Sequence, residues 1–240
     1  MASNTIKIPN KGNTKFVAHR GCSGLETENT AAAFIAAGNR TYYGTETDIW
    51  RTADNDYICN HDGRSGRICD VDLVMEQSTL AELRALTLRD KDGATDRSEI
   101  MLCTPYEYKK ICKKYEKICV PELKSNFTLE EIKDIVEIFG DYLENTCFIA
   151  FNIANLDLVK QVLPDQHCQF LSGQWDDSYP EMLKARGMGL DIHYGQLTEE
   201  RIKACHDAGV EVNAWTVDNP EDAEKLISWG IDYITTNILE

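Results

Sequence analysis

Basic residues are scarce in this chain. Its 240 residues carry 25 Lys and Arg against 40 Asp and Glu, for a formal net charge of -15 and a pI near 4.8. A surface this acidic excludes nonspecific grip on nucleic acid, whose phosphate backbone needs a broad basic face. A local basic pocket for one small phosphate stays open. No apolar run approaches the roughly 20 residues needed to cross a bilayer, so stable membrane insertion is not expected. The first residues, Met-Ala-Ser-Asn-Thr-Ile-Lys-Ile-Pro, lack the apolar stretch of a secretion signal. The expectation is a soluble, cytoplasmic chain. Its nine cysteines are odd in number and none are paired as C-x-x-C. That argues against zinc and for buried free thiols in a reducing compartment. Asp54-Asn55-Asp56 lacks the spaced glycine and closing glutamate of an EF-hand loop. No low-complexity linker divides the chain, so residues 1–240 read as one domain.

What is present is a regular alternation of short β-rich runs and helical patterns. Strands are expected at Lys15–Arg20, Gly44–Trp50, Ile118–Lys124, Cys147–Asn152, Cys168–Ser172, Gly189–Tyr194, Val210–Val217 and Asp232–Asn237. Tyr57–Asp62 reads as an added hairpin strand, turned by Ala53-Asp54-Asn55-Asp56. Helix starts are marked between them. Asn29 precedes an Ala-rich stretch. Thr79 with Glu82, and Thr128 with Glu131, have capping-box spacing. Asn219 followed by Pro220 places a cap before a first-turn proline. Eight strands alternating with helices argue for a parallel (β/α)₈ TIM barrel over an open doubly wound sheet. Residues 64–103 are the longest stretch without a barrel strand. They read as a small insertion after the second strand, carrying one or two helices rather than a separate core. Within it, Arg89-Asp90-Lys91-Asp92-Gly93 reads as an exposed loop.

The chemistry gathers where the apolar runs stop. His19 and Arg20 close the first run, Glu46 and Asp48 the second, His61 and Asp62 the hairpin, and Glu122 and Lys124 the next. Glu46 and Asp48 are two apart on a strand, so they leave the same face. Adjacent carboxylates repel unless solvated, partly protonated or bridged by a cation. With Glu122 on the neighbouring strand end they make an all-oxygen set suited to one divalent cation, Mg²⁺ or Ca²⁺. His19 and His61 are candidates for a general acid and a general base. Arg20 and Lys124 either pair with these carboxylates or neutralise a phosphoryl oxygen. Phe151 and Trp215 are candidate cleft walls, and His193 and Tyr194 end a strand that can also face the cleft. His167 and His206 read as surface residues without a role.

In order along the chain, these residues resemble the glycerophosphodiester phosphodiesterase family. The resemblance rests on Ala18-His19-Arg20-Gly21, Glu28-Asn29-Thr30, Glu46-x-Asp48, Thr52-x-Asp54, His61-Asp62, Thr104-Pro105-x-Glu107 and Glu122-x-Lys124. It continues through Trp215-Thr216-Val217 and Gly230-Ile231-Asp232 to Thr235-Thr236-Asn237. It implies a TIM barrel that hydrolyses glycerophosphodiesters to sn-glycerol 3-phosphate and an alcohol with a divalent metal. His19 and His61 match the catalytic histidines. Glu46, Asp48 and Glu122 match the metal ligands, and Arg20 and Lys124 match phosphate-contacting positions. The insertion falls where the family places a substrate-side subdomain. Thr27 replaces the usual proline, Ala150-Phe151 the usual Ser-Phe, and Gly63-Arg64-Ser65-Gly66-Arg67 the usual turn after His-Asp. These departures bear on which alcohol is released. Alternative readings are a phosphodiesterase for lysophospholipids or other polyol diesters, and a non-catalytic barrel that binds phosphorylated ligands.

Overall fold

The eight runs read as barrel strands form eight parallel strands in a computed structural model, which describes residues 4–240. The first three residues of the stretch read for a leader lie outside the described residues. In chain order the elements are β1 (Lys15–Ala18), α1 (Ala31–Gly38), β2 (Gly44–Arg51), β3 (Tyr57–Cys59), α2 (Leu80–Arg84), α3 (Pro105–Lys114), β4 (Ile118–Leu123) and α4 (Leu129–Phe139). They continue as β5 (Phe148–Ala150), α5 (Ile153–Val162), β6 (Cys168–Ser172), α6 (Tyr179–Arg186), β7 (Gly189–His193), α7 (Glu199–Ala208), β8 (Val212–Trp215), α8 (Pro220–Ser228) and β9 (Tyr233–Thr236). β1 pairs in parallel with both β2 and β9, which closes the barrel. β3 runs antiparallel on the C-terminal half of β2, with Ile49 opposite Cys59 and Arg51 opposite Tyr57.

Alternation along each strand sorts the side chains. Val17, Val120, Cys147, Ile149, Leu171 and Tyr233 pack together as an inner apolar cluster. Their neighbours in sequence, such as Phe16, Cys119, Phe148 and Ile234, join the larger layer between strands and helices. All nine cysteines are free and buried. The capping boxes form at Thr79 and Thr128, and a third forms at Thr104 with Glu107. Asn219 caps α8 as expected.

Three details differ from the sequence reading. Several strands end sooner than expected, β1 at Ala18, β4 at Leu123 and β5 at Ala150, so His19, Arg20, Lys124 and Phe151 lie just beyond them. Arg20 has a left-handed φ of 54°. Asn29 is not the cap of α1; Thr30 is, accepting from the Ala33 amide. Asn29 instead turns its side chain to the second strand, donating to Asp48 and accepting from Thr47 Oγ1. The insertion also has an apolar cluster of its own: Ile58, Ile68, Cys69, Met75, Leu83, Leu86, Leu88, Ile100 and Leu102. Its residues come from short turns with no sustained period, so no pattern announced it. Through Ile58 of β3 and Trp50 of β2, this cluster packs the insertion beside the C-terminal rim of β2.

Candidate active site

A cavity of about 180 Å³ opens at the C-terminal end of the barrel. His19, Arg20, Glu46, His61, Glu122, Phe151 and Trp215 all line it. Asp48 and Lys124 stand directly behind. Lys124 Nζ lies 3.0 Å from Glu122 Oε1 and 3.4 Å from Asp48 Oδ1. Arg20 Nε lies 3.6 Å from Asp48 Oδ2. All nine residues singled out in the sequence are therefore brought to one place.

Glu46 and Asp48 share a face of β2, and Glu122 sits opposite Asp48 in the β2–β4 register. One ligand oxygen from each lies within 4.8 Å of the others, and all three side chains are buried. Burial pushes the Glu46 carboxyl well above the ordinary range, and the adjacent Asp48 charge pushes it the same way. Burial, then Asp48, lifts Glu122 to about 8 against the pull of Lys124. Burial acts upward on Asp48 too, but Lys124, Arg20, His61 and the Asn29 hydrogen bond outweigh it and hold Asp48 below the usual range. One carboxylate thus carries the charge while its neighbours favour protons. Asp48 Oδ1 is buried without a hydrogen-bond partner among the described residues. An all-oxygen set in which Asp48 Oδ1 has an ion-pair contact with Lys124 but no hydrogen bond fits a hard divalent cation.

The two histidines are oriented differently. His19 Nδ1 lies 2.8 Å from Asn237 Oδ1. The Asn237 amide is fixed the other way round, because its Nδ2 donates to Asp218 and its Oδ1 also accepts from Ser23. His19 must therefore donate from Nδ1, which leaves Nε2 as the basic nitrogen. Burial, with Arg20 adding to it, lowers the His19 pKa to about 4. His61 Nδ1 faces the Asp62 carboxylate at 2.8 Å. Burial lowers His61 as well, while Asp48 and Asp62 work upward. An amide backs one imidazole and a carboxylate backs the other.

The sequence reading missed the clamp that holds both ends of this arrangement. Arg67, from the insertion, donates to Asp62 through Nε and to Glu28 through both terminal nitrogens. Glu28 in turn accepts from Arg20 at 3.0 Å. Arg67 is thus one step behind His61 and one step behind Arg20. The signal lay in the Gly-Arg-Ser-Gly-Arg departure, but its partners are 5 and 39 positions away. Arg20 is placed by its backbone as well, its amide donating to Glu46 Oε2 at 2.7 Å. The turn needs Gly21, at φ 77°, since a Cβ there would sit 2.6 Å from the Ala33 backbone. Phe151 and Trp215 meet edge to face at 5.7 Å, and His193 packs on Trp215 at 5.4 Å. His167 and His206 pair with Glu211 and Asp232, away from the cleft.

A closed parallel barrel with a buried carboxylate triad, two histidines and a guanidinium at its C-terminal rim defines a hydrolase-type site for a phosphate ester. Comparison with known proteins agrees. The profile of the glycerophosphoryl diester phosphodiesterase family matches residues 19–240. A glycerophosphodiester phosphodiesterase of Caldanaerobacter subterraneus subsp. tengcongensis is 29% identical over 231 residues, which is 93% of this chain and 94% of that protein. A glycerophosphodiester phosphodiesterase structure from Parabacteroides distasonis is 30% identical with a TM-score of 0.77, covering 95% of this chain and 94% of that one. An Oleispira antarctica phosphodiesterase, solved with the product sn-glycerol-3-phosphate, superposes with a TM-score of 0.86 at 25% identity, over 93% of this chain and 92% of that one. This chain belongs to the glycerophosphoryl diester phosphodiesterase family, whose members are phosphoric diester hydrolases. No helix among the described residues is long and apolar enough to cross a membrane.

Proposed function

We propose that the chain hydrolyses glycerophosphodiesters to sn-glycerol 3-phosphate and an alcohol, using one divalent cation, Mg²⁺ or Ca²⁺, and an acid/base pair of histidines. The barrel and its 64–103 insertion work as one unit in this reading, since the insertion supplies the Arg67 clamp. The observation that carries the proposal is the meeting of the Glu46, Asp48 and Glu122 triad with two imidazoles whose Nδ1 atoms are both engaged. Each histidine then has only Nε2 free for the reacting atoms.

Glu46, Asp48 and Glu122 would hold the cation, which when bound supplies positive charge to a phosphate oxygen. Arg20, whose buried Nε lacks a hydrogen-bond partner among the described residues, meets a second phosphate oxygen. Lys124 keeps Asp48 ionised. His19 Nε2, unprotonated and backed by an amide, takes the proton of the nucleophile, be it water or a substrate hydroxyl. His61, whose charge the Asp62 carboxylate supports, delivers a proton to the departing alkoxide. Phe151 and Trp215 wall the cleft and exclude water from one side. The test is a side-by-side assay of glycerophosphocholine, glycerophosphoethanolamine and a lysophospholipid after chelation and readdition of Mg²⁺ or Ca²⁺. Turnover of the first two with either ion supports the reading. Turnover of the lysophospholipid alone would move the substrate to lipids, and activity indifferent to chelation would remove the cation from the scheme.

A further inference from the structure

One carboxyl in the cleft has no part in this scheme. Asp191 lies in the middle of β7 and is 1% exposed, yet it lines the cavity. Its Oδ1 is buried with no hydrogen-bond partner among the described residues. The polar side chains next to it are engaged. On β8, Asn213 donates to Gln169 and accepts from Thr235, and Gln169 donates to Glu211. Asp191 is not in that chain. Nor is it in the cation set, which draws only on β2 and β4. β5 and β6 stand between β4 and β7 in the sheet.

A barrel gains nothing in packing from this residue. Interior strand positions are ordinarily filled by branched apolar side chains, and an unpartnered buried carboxyl is destabilising. The surroundings sharpen the point. Ile149, Leu171, Phe151 and Trp215 line the same cavity, and although Glu122, Thr216 and Thr235 line it too, none of them hydrogen-bonds Asp191 Oδ1. Such a group discriminates strongly between ligands that do and do not offer a hydrogen bond. Depth says which part of the ligand reaches it. Phe151, at the mouth, is 49% exposed, whereas Asp191 is sealed below. A bulky alcohol group belongs at the mouth, and a small hydroxylated moiety fits the floor. A hydroxyl suits a carboxyl in either protonation state, since it both donates and accepts.

We infer that Asp191 is a specificity-determining residue that hydrogen-bonds a hydroxyl of the substrate's glycerol moiety. The inference rests on the glycerophosphodiesterase reading, but its test does not require turnover. Calorimetry on the full chain with Mg²⁺ or Ca²⁺ compares sn-glycerol 3-phosphate with n-propyl phosphate, which has the same phosphate and no hydroxyl. The wild type should prefer the hydroxylated ligand by roughly ten- to a hundredfold. In Asp191→Leu, which keeps the branching of the side chain, the ratio should fall to within about threefold. The variant's melting temperature should match or exceed that of the wild type, because an unsatisfied group has been removed. Asp191→Ala serves if the leucine variant does not fold. A wild type that binds both ligands equally, or a variant that keeps the wild-type ratio, overturns the assignment. Failure of the assay with glycerophosphocholine would instead count against the proposed activity, and leaves the binding ratio to be read on its own.

Discussion

Glu122→Gln tests the electrostatics of the triad and its occupant together. Glu122 is lifted from 4.5 to about 8 by burial and by Asp48. A raised carboxyl favours the folded state while protonated, so its stabilising effect is full below pH 4.5 and is lost as pH rises through 8. Between those limits the slope has a ceiling of about 1.4 kcal/mol per pH unit for one group. His19 acts oppositely but lower down. Its pKa falls from 6.5 to about 4, so its stabilising effect is full above pH 6.5 and is lost as pH falls through 4. From pH 6.5 to 8 His19 is silent and the raised carboxyls dominate, with Glu46 and Asp191 acting in the same direction as Glu122, whose share alone is a loss on the order of 1–2 kcal/mol in the cation-free protein. For a chain of this size that is about 2–8 °C in Tm. A divalent cation must displace these protons, so its apparent affinity should rise with pH. With its pKa raised to about 8, Glu122 is mostly protonated at pH 6 and substantially ionised at pH 8, so the affinity should be markedly higher at pH 8. Thermal melts with and without Mg²⁺ or Ca²⁺ at both pH values read this directly. The cation should raise Tm at pH 8 and do little at pH 6. Glu122→Gln should lessen the cation-free pH dependence, leaving the part that Glu46 and Asp191 contribute, and abolish the cation's effect. A Tm gain equal at both pH values, or one that survives in Glu122→Gln, would show that the cation binds elsewhere.

Three further outcomes follow from the same geometry. Arg20→Lys keeps the charge but loses the planar fork that spans Glu28 and a phosphate, so kcat/KM should fall roughly tenfold or more by steady-state assay, and wild-type kinetics would make Arg20 a purely structural partner of Glu28 and Asp48. Arg67→Met should lower kcat without touching the reacting atoms and shift the alkaline limb of the pH–rate profile upward, because Asp62, freed of Arg67, stabilises protonated His61, the general acid, more strongly; an unshifted alkaline limb refutes the clamp. His19→Ala and His61→Ala should each cost on the order of 10²–10⁴-fold in kcat. A nitrophenyl phosphodiester, whose leaving group needs no proton, should partly rescue only His61→Ala. Equal losses of both variants on both substrates would end the division into base and acid.

The barrel was legible because its signals are local. Strand alternation, capping spacings and the step from β runs to helical runs all lie within a dozen residues. The triad was legible for a related reason. Glu46 and Asp48 share a face by simple alternation, and Glu122 arrives beside them because parallel register sets Asp48 opposite it. Residues whose work depends on distant partners were not legible. Asn29 looked like a helix cap because that is its commonest use at such a position, and nothing local announces the Asp48 oxygen it meets. Arg67 was visible only as an unusual turn. Asp191 sat inside an apolar strand where one acid carries no periodic signal.

These misses share a cause that bears on how the site works. Each unread residue either restrains a charged group or leaves one unrestrained. Asn29 helps keep Asp48 ionised in a dry place, and Arg67 ties down the partners of His61 and Arg20. Asp48 Oδ1, Arg20 Nε and Asp191 Oδ1 remain buried without hydrogen-bond partners among the described residues, all around one cleft. A fold selected for stability alone would satisfy them or replace them with apolar groups. Asp48 Oδ1 and Arg20 Nε have only ion-pair contacts, at 3.4 Å to Lys124 and 3.6 Å to Asp48, and with Asp191 they match a ligand that brings a cation, a phosphate oxygen and a hydroxyl. On that argument, phosphate ligand and cation together should stabilise the chain by more than the sum of the two alone, since each improves the site for the other in one bound complex. Melts with sn-glycerol 3-phosphate, with Mg²⁺ or Ca²⁺, and with both would measure it. Strictly additive shifts would mean that the three orphans do not serve one bound complex.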